Sequence, residues 1–229
     1  MKEKEGNLGP YLYSTPLTKD DKVRGEEYYR KIIYEEPDYY LYQDEMALIQ
    51  TASNQLAVHV PTKATVVEFG PGTQKAFIGK TLPFLKAIPQ LHQYVAVDLC
   101  QKYLLDSAEI IKNELPQVRV QTLQKDFFKD IDLLKDYTSP IVFFKGSTIS
   151  NLSREQCINF LRTIPQFLAP DGRLIVGLDA NQDEDSLSRA YDTQAVSDFI
   201  LNIFHRIHRD LALEQFDPNA FTYKFEWVP

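Results

Sequence analysis

From Thr65 onward, short apolar runs alternate with longer stretches in which apolar residues recur every three or four positions. The runs at 66–69, 94–98, 118–122, 141–144 and 173–178 are rich in β-branched and aromatic residues and read as strands. The stretches at 74–87, 101–115, 127–135 and 154–168 read as helices. Ser153 and Gln156 open the last of these with a capping-box spacing, and Pro165 should bend its final turn. Such alternation predicts an α/β domain whose parallel sheet is covered on both faces.

The flanks follow another pattern. A short helix is expected over 22–34, broken by Glu35-Glu36-Pro37-Asp38, and an aromatic patch follows at Tyr39-Tyr40-Leu41-Tyr42. Asp44 is placed to cap a helix carrying Leu48, Ile49, Ala52 and Leu56 on one side. Beyond Asp179 the alternation stops. A polar connection over 183–188 leads to Asp192, placed to cap a long helix with Val196, Phe199, Ile203 and Ile207 at helical spacing. Tyr11, Tyr13, Tyr28 and Tyr29 are expected in the core of a small lobe.

Composition narrows the function classes. The chain has 229 residues, 44% of them apolar, enough to fill a core. A net charge of −7 with no basic stretch argues against nucleic acid as a partner. No apolar stretch approaches ~20 residues, so no membrane span is expected. Cys100 and Cys157, the only cysteines, suit a reducing cytoplasm and suggest packing rather than a metal site. His205 and His208 lie three apart on the long helix without a carboxylate partner and read as surface or packing residues.

In an open parallel sheet, ligands sit beyond the carboxyl ends of the strands. The first strand ends in Glu68-Phe69-Gly70-Pro71-Gly72-Thr73, where two glycines allow a sharp turn and close approach. Lys75 stands where a dinucleotide-binding turn would have its third glycine, which disfavours a nicotinamide oxidoreductase. The motif is similar to the first motif of methyltransferases that use S-adenosylmethionine. Asp98 ends the second strand, as a ribose acceptor or a helix cap. Asp126 and Phe127 follow the third, as adenine contacts or as a cap and a core aromatic. Gly146-Ser147-Thr148-Ile149-Ser150-Asn151 follows the fourth, a polar loop after an apolar strand and so a candidate active-site loop.

Taken together, Glu68 to Thr73, the pair Tyr39-Tyr40, the loop Gly146 to Asn151 and Arg189-Ala190-Tyr191-Asp192 resemble the histidine-specific methyltransferase family. Members of that family trimethylate the α-amino group of histidine. The family's loop reads G-S-T-I-G-N, with Ser150 here in the last glycine position. The motifs keep the family's order over nearly the whole chain.

The resemblance implies a Rossmann-like methyltransferase sheet in the order 3-2-1-4-5 and a mostly helical substrate lobe. The cofactor domain would span 62–180, and 1–61 with 181–229 would build the substrate lobe. It implies S-adenosylmethionine bound by Glu68, Gly70, Gly72, Thr73, Asp98, Asp126, Phe127, Gly146 and Ser147, with no metal. Tyr40, Asn151 and Tyr191 would hold a small amino acid or amine between the lobes. Family chains run on past the position of Trp227 into strands that complete the sheet and recognise imidazole; this sequence ends at Pro229. The strand at 173–178 is therefore expected at an edge, covered by 221–228 or by a second copy of the chain, with weak activity towards histidine. A methyltransferase for another small amine or amino acid, and an inactive cofactor-binding homologue, remain as alternatives.

Overall fold

Strands form where β-branched and aromatic residues run together. In the computed structural model, which describes residues 12–13, 15–168 and 170–228, β1 (Thr65–Phe69) lies at the centre of the sheet. It pairs in parallel with β2 (Gln93–Asp98) on one side and β4 (Ile141–Phe144) on the other. Outside these lie β3 (Arg119–Gln124) and β5 (Arg173–Val176), giving the order β3-β2-β1-β4-β5 expected from the sequence. Side chains alternate faces along β1. Val66 joins a core with Phe77, Phe84, Tyr94 and Phe143, while Val67 and Phe69 join one with Val95, Phe144 and Phe160.

The chain divides into two compact units, Gln43–Leu178 and the pair of segments Met1–Tyr42 and Asp179–Pro229. The first boundary differs from the one at 61/62 expected from sequence. Ile49 and Ala57 pack into the core on one face of the sheet, which draws 43–57 into the sheet unit.

In the sheet unit, helices α3 (Gln74–Ala76) and α4 (Leu82–Ala87) are joined by a π-helical turn, Phe77–Thr81, where one continuous helix was expected. Helix α5 (Gln101–Glu114) follows β2. The expected helix over 127–135 is instead a 3-10 turn, Ile131–Asp136. Asp126 accepts from the N–H of Phe128, and Asp130 accepts from the N–H of Asp126, so side chains satisfy backbone groups that a helix would use. Helix α6 (Arg154–Thr163) opens with the expected capping box and runs into a 3-10 turn at Pro165.

The other unit packs α1 (Gly25–Glu35) against α8 (Gln194–Leu211), with Tyr13, Tyr29 and Phe199 in mutual ring contact; Tyr11 lies outside the described residues. Helix α2 (Tyr40–Ala57) starts four residues before the expected Asp44 cap, directly after the Pro37 turn, and its Leu48 is exposed. The segment expected as a polar connection is helix α7 (Glu184–Tyr191), capped by Asp183. Asp192 ends α7, and Thr193 rather than Asp192 caps α8. Residues 221–228 form no strand, and Phe221 stacks on Phe204 of α8.

Candidate active site

Gly70 and Gly72 both adopt φ +73°, a conformation that side chains with a Cβ rarely take. The turn is tied to β2 by Gly70 N–H donating to the carbonyl of Val97 at 2.9 Å. Nothing lies within 4 Å of the place a Cβ on Gly70 would occupy, so the turn borders open space. Thr73 caps α3, its hydroxyl accepting from Ala76 N–H, and Lys75 is exposed.

Beneath the turn is a charge network that sequence reading anticipated only through Glu68. The Glu68 carboxylate is fully buried. It accepts from the hydroxyls of Thr81 and Tyr94 and pairs with Lys145 Nζ at 3.0 Å. Lys145 also donates to the carbonyls of Gly70 and Pro71, so it ties the glycine turn to the end of β4. A second buried pair, Glu45 and Lys80 at 2.7 Å, lies on the same side of the sheet. Burial pushes the Lys80 ammonium below its ordinary pKa, and Glu45 opposes that shift. Glu68 is thus held by protein groups beneath the turn.

Asp98 ends β2 and accepts from Cys100 N–H at 2.8 Å. Cys100, rather than Asp98, is the cap residue of α5. Burial raises the Asp98 pKa to about 6, against the opposing effects of the Cys100 N–H and Lys145. Asp126 accepts from Phe128 N–H and pairs with Lys129 at 2.9 Å. Phe127 stacks on Phe69 with centroids 4.9 Å apart and touches Phe128 and Phe144. At Asp126 and Phe127 the geometry is that of a turn cap and a core aromatic.

The loop after β4 is strained. Gly146 has φ +80° and Ser147 φ +53°, left-handed in a residue that carries a side chain. The Ser147 hydroxyl is buried without a hydrogen-bond partner. Asn151 closes the following 3-10 turn, Thr148–Asn151, and is exposed. An open glycine turn, a high-pKa carboxylate at the next strand end and an orphaned buried hydroxyl together suit S-adenosylmethionine, which carries ribose hydroxyls and an amino-acid end.

In the other unit, Tyr40 donates to Asp179 Oδ2 at 2.6 Å, and Asp179 Oδ1 accepts from Asn181 N–H. Tyr191 meets Tyr39 edge-on at 5.7 Å, and its carbonyl accepts from Tyr223. Burial, and then Asp179, raise the phenol pKa of both Tyr40 and Tyr191. Asp179 was not expected as a site residue, although it lies three residues past the end of β5. Among the described residues no group of three or more His, Cys, Asp or Glu could hold a metal ion, and no helix is long and apolar enough to cross a membrane.

A parallel sheet in the order 3-2-1-4-5, with a glycine turn after β1 and an acid ending β2, is a Rossmann-like arrangement of the kind that binds a nucleotide cofactor beyond its strand ends. The chain belongs to the S-adenosylmethionine-dependent, histidine-specific methyltransferase family, whose model matches residues 10–229. It is 29% identical over 196 residues to histidine N-alpha-methyltransferase of Mycolicibacterium smegmatis, covering 83% of this chain and 59% of the relative. It is 26% identical to ergothioneine biosynthesis protein 1 of Neurospora crassa, covering 85% of this chain and 22% of that protein. It is 23% identical to N-methyltransferase fsqC of Aspergillus fumigatus, covering 86% and 55%. The chain therefore spans less than two thirds of the length of each.

Proposed function

We propose that the chain transfers a methyl group from S-adenosylmethionine to the α-amino group of a free amino acid, with histidine the family's substrate. The observation that carries this reading is the open glycine turn beside Asp98, within a chain that matches the family from residue 10 onward. S-adenosylmethionine supplies a methyl on a sulfonium, which an amine displaces in line. The protein's task is alignment.

Gly70 and Gly72 let the backbone approach the cofactor, Asp98 accepts from its ribose hydroxyls, and the Ser147 hydroxyl is a further polar contact for it. Asp126 and Phe127 serve by shaping the turn next to the adenine side. Tyr40 and Tyr191 orient the substrate. Their raised pKa values make them poor bases near neutral pH, so they act as neutral hydrogen-bonding groups. Asp179, bonded to Tyr40, offers a counter-charge for the substrate's ammonium and an acceptor for its proton. A cytoplasmic setting accords with a sequence that has only two cysteines, Cys100 and Cys157, set far apart along the chain.

A second reading, transfer to another small amine, is kept because one relative, fsqC, is named only as an N-methyltransferase. Incubating the chain with S-adenosylmethionine and each free amino acid or small amine, with mass detection of added methyl groups, separates the readings. A free amino acid methylated on its α-amino group, histidine foremost, supports the first; a methylated amine that is not an amino acid supports the second; and no methylation of any candidate contradicts both.

A further inference from the structure

The Glu45 carboxylate occupies an unusual place. Helix α2 buries Tyr42, Glu45, Ile49, Ser53 and Ala57 on one face, a helical stripe that is apolar except at Glu45 and Ser53. Ser53 is satisfied within its own helix by the carbonyl of Ile49. Glu45 instead reaches out of its helix to two other elements. Oε2 pairs with Lys80 in the π-helical turn, and Oε1 accepts from the backbone N–H of Gly146 at 2.7 Å. That N–H belongs to the first residue of the strained turn that carries Ser147.

A buried carboxylate on an otherwise apolar helix face costs stability unless it is fully paired. Here the pairing is complete and electrically balanced, with Glu45 and Glu68 facing Lys80 and Lys145. The space for Glu45 is made by Gly177 at the end of β5, where an added Cβ would collide with Glu45 Oε1. Gly177 does not have positive φ, so its lack of a side chain answers to the carboxylate rather than to backbone shape.

We propose that Glu45 is a positioning residue for the cofactor, its carboxylate clamping the Gly146–Ser147 turn in the left-handed shape that buries the Ser147 hydroxyl. The turn is held at its start by Glu45 and further on by Ser150 N–H donating to the Ser147 carbonyl. A left-handed serine persists only where its surroundings over-determine it. The link to the cofactor rests on the function proposed above; the clamp itself does not.

Glu45→Ala alone would take the carboxylate away from the buried Lys80 ammonium and would confound the test by unfolding. Three other variants avoid this. Glu45→Gln with Lys80→Met keeps an acceptor for Gly146 and removes both charges. Glu45→Ala with Lys80→Met removes the acceptor as well. Gly177→Ala keeps every charge and displaces the carboxylate, the movable end of a side chain. Hydrogen exchange of the Gly146 amide reads the clamp without any ligand, calorimetric titration with S-adenosylmethionine reads its consequence, and thermal melting reads the fold.

The expected result is folded variants in which Gly146 exchanges about tenfold faster or more in Glu45→Ala/Lys80→Met and in Gly177→Ala, with cofactor affinity lowered about tenfold. Glu45→Gln/Lys80→Met should retain most of both. Unchanged Gly146 exchange in the two clamp-breaking variants overturns the clamp. Faster exchange with unchanged cofactor affinity overturns its role in binding. A wild-type chain that takes up no cofactor refutes the functional reading, and with it the link to binding, while the exchange data still decide the clamp.

Discussion

Glu68 and Lys145 meet at 3.0 Å with both side chains removed from solvent, and that pair binds the middle strand of the sheet to the strand beside it directly under the glycine turn. Because Lys145 also holds the carbonyls of Gly70 and Pro71, the geometry of the turn depends on a charge that sits outside it.

Breaking this pair from one side leaves an uncompensated buried charge. Lys145→Met is expected to destabilise the fold by about 3–5 kcal/mol. The joint replacement Glu68→Gln/Lys145→Met should recover a good part of that loss. Urea unfolding of the three proteins checks this; equal losses in the single and double variants would contradict it.

Asp98 makes a pH prediction. Its folded pKa of about 6 lies above the ordinary 3.8, so ionising it costs the empty protein stability. That cost is absent below about pH 3.8, grows as pH rises to about 6 and is full above it. Asp98→Asn should therefore be at least as stable as wild type at pH 7, yet bind S-adenosylmethionine about tenfold more weakly or worse. Wild-type affinity should fall as pH drops below about 6, and the variant's should not. Equal affinities at pH 7 would refute the assignment of Asp98 to the cofactor.

Tyr40→Phe removes the donor to Asp179 and leaves a carboxylate oxygen without its partner. The expected outcome in a steady-state assay is a loss in kcat/KM of about tenfold with cofactor affinity unchanged. Because burial and Asp179 hold the phenol well above its ordinary pKa, the wild-type rate should rise with pH as the substrate amine becomes neutral. An added limb from tyrosinate near pH 8 would contradict the role given to this residue.

For Asn151, exposed at the end of the turn after Ser147, the Ala variant should lose transfer while keeping cofactor affinity within about threefold. Loss of both together would mean that the amide serves the loop rather than the substrate.

The sheet was legible because buried parallel strands leave continuous apolar runs, and β1, β2 and β4 carry such runs almost unbroken. Strand β3 was misjudged at both ends, since it is largely exposed and its extent is set by register with β2 rather than by its own residues. Helix α7 was missed because its first turn, Glu184 and Asp185 after the Asp183 cap, is acidic and reads as a connection. Those same residues favour a helix start through capping and the backbone dipole. The glycine turn announced itself by composition. Glu45, Lys80 and Lys145 did not, because each looks like a surface charge until the fold brings them together in the interior.

Cofactor binding at the β1 turn can be measured directly. Calorimetric titration of S-adenosylmethionine into the wild-type chain at pH 7.5 is expected to show one-to-one binding. Replacing Gly70 by Val, which fills the open space beside the turn and opposes its positive φ, should abolish that binding. No heat of binding in the wild-type chain, or undiminished binding in Gly70→Val, would contradict the claim that the cofactor lies against the β1 turn.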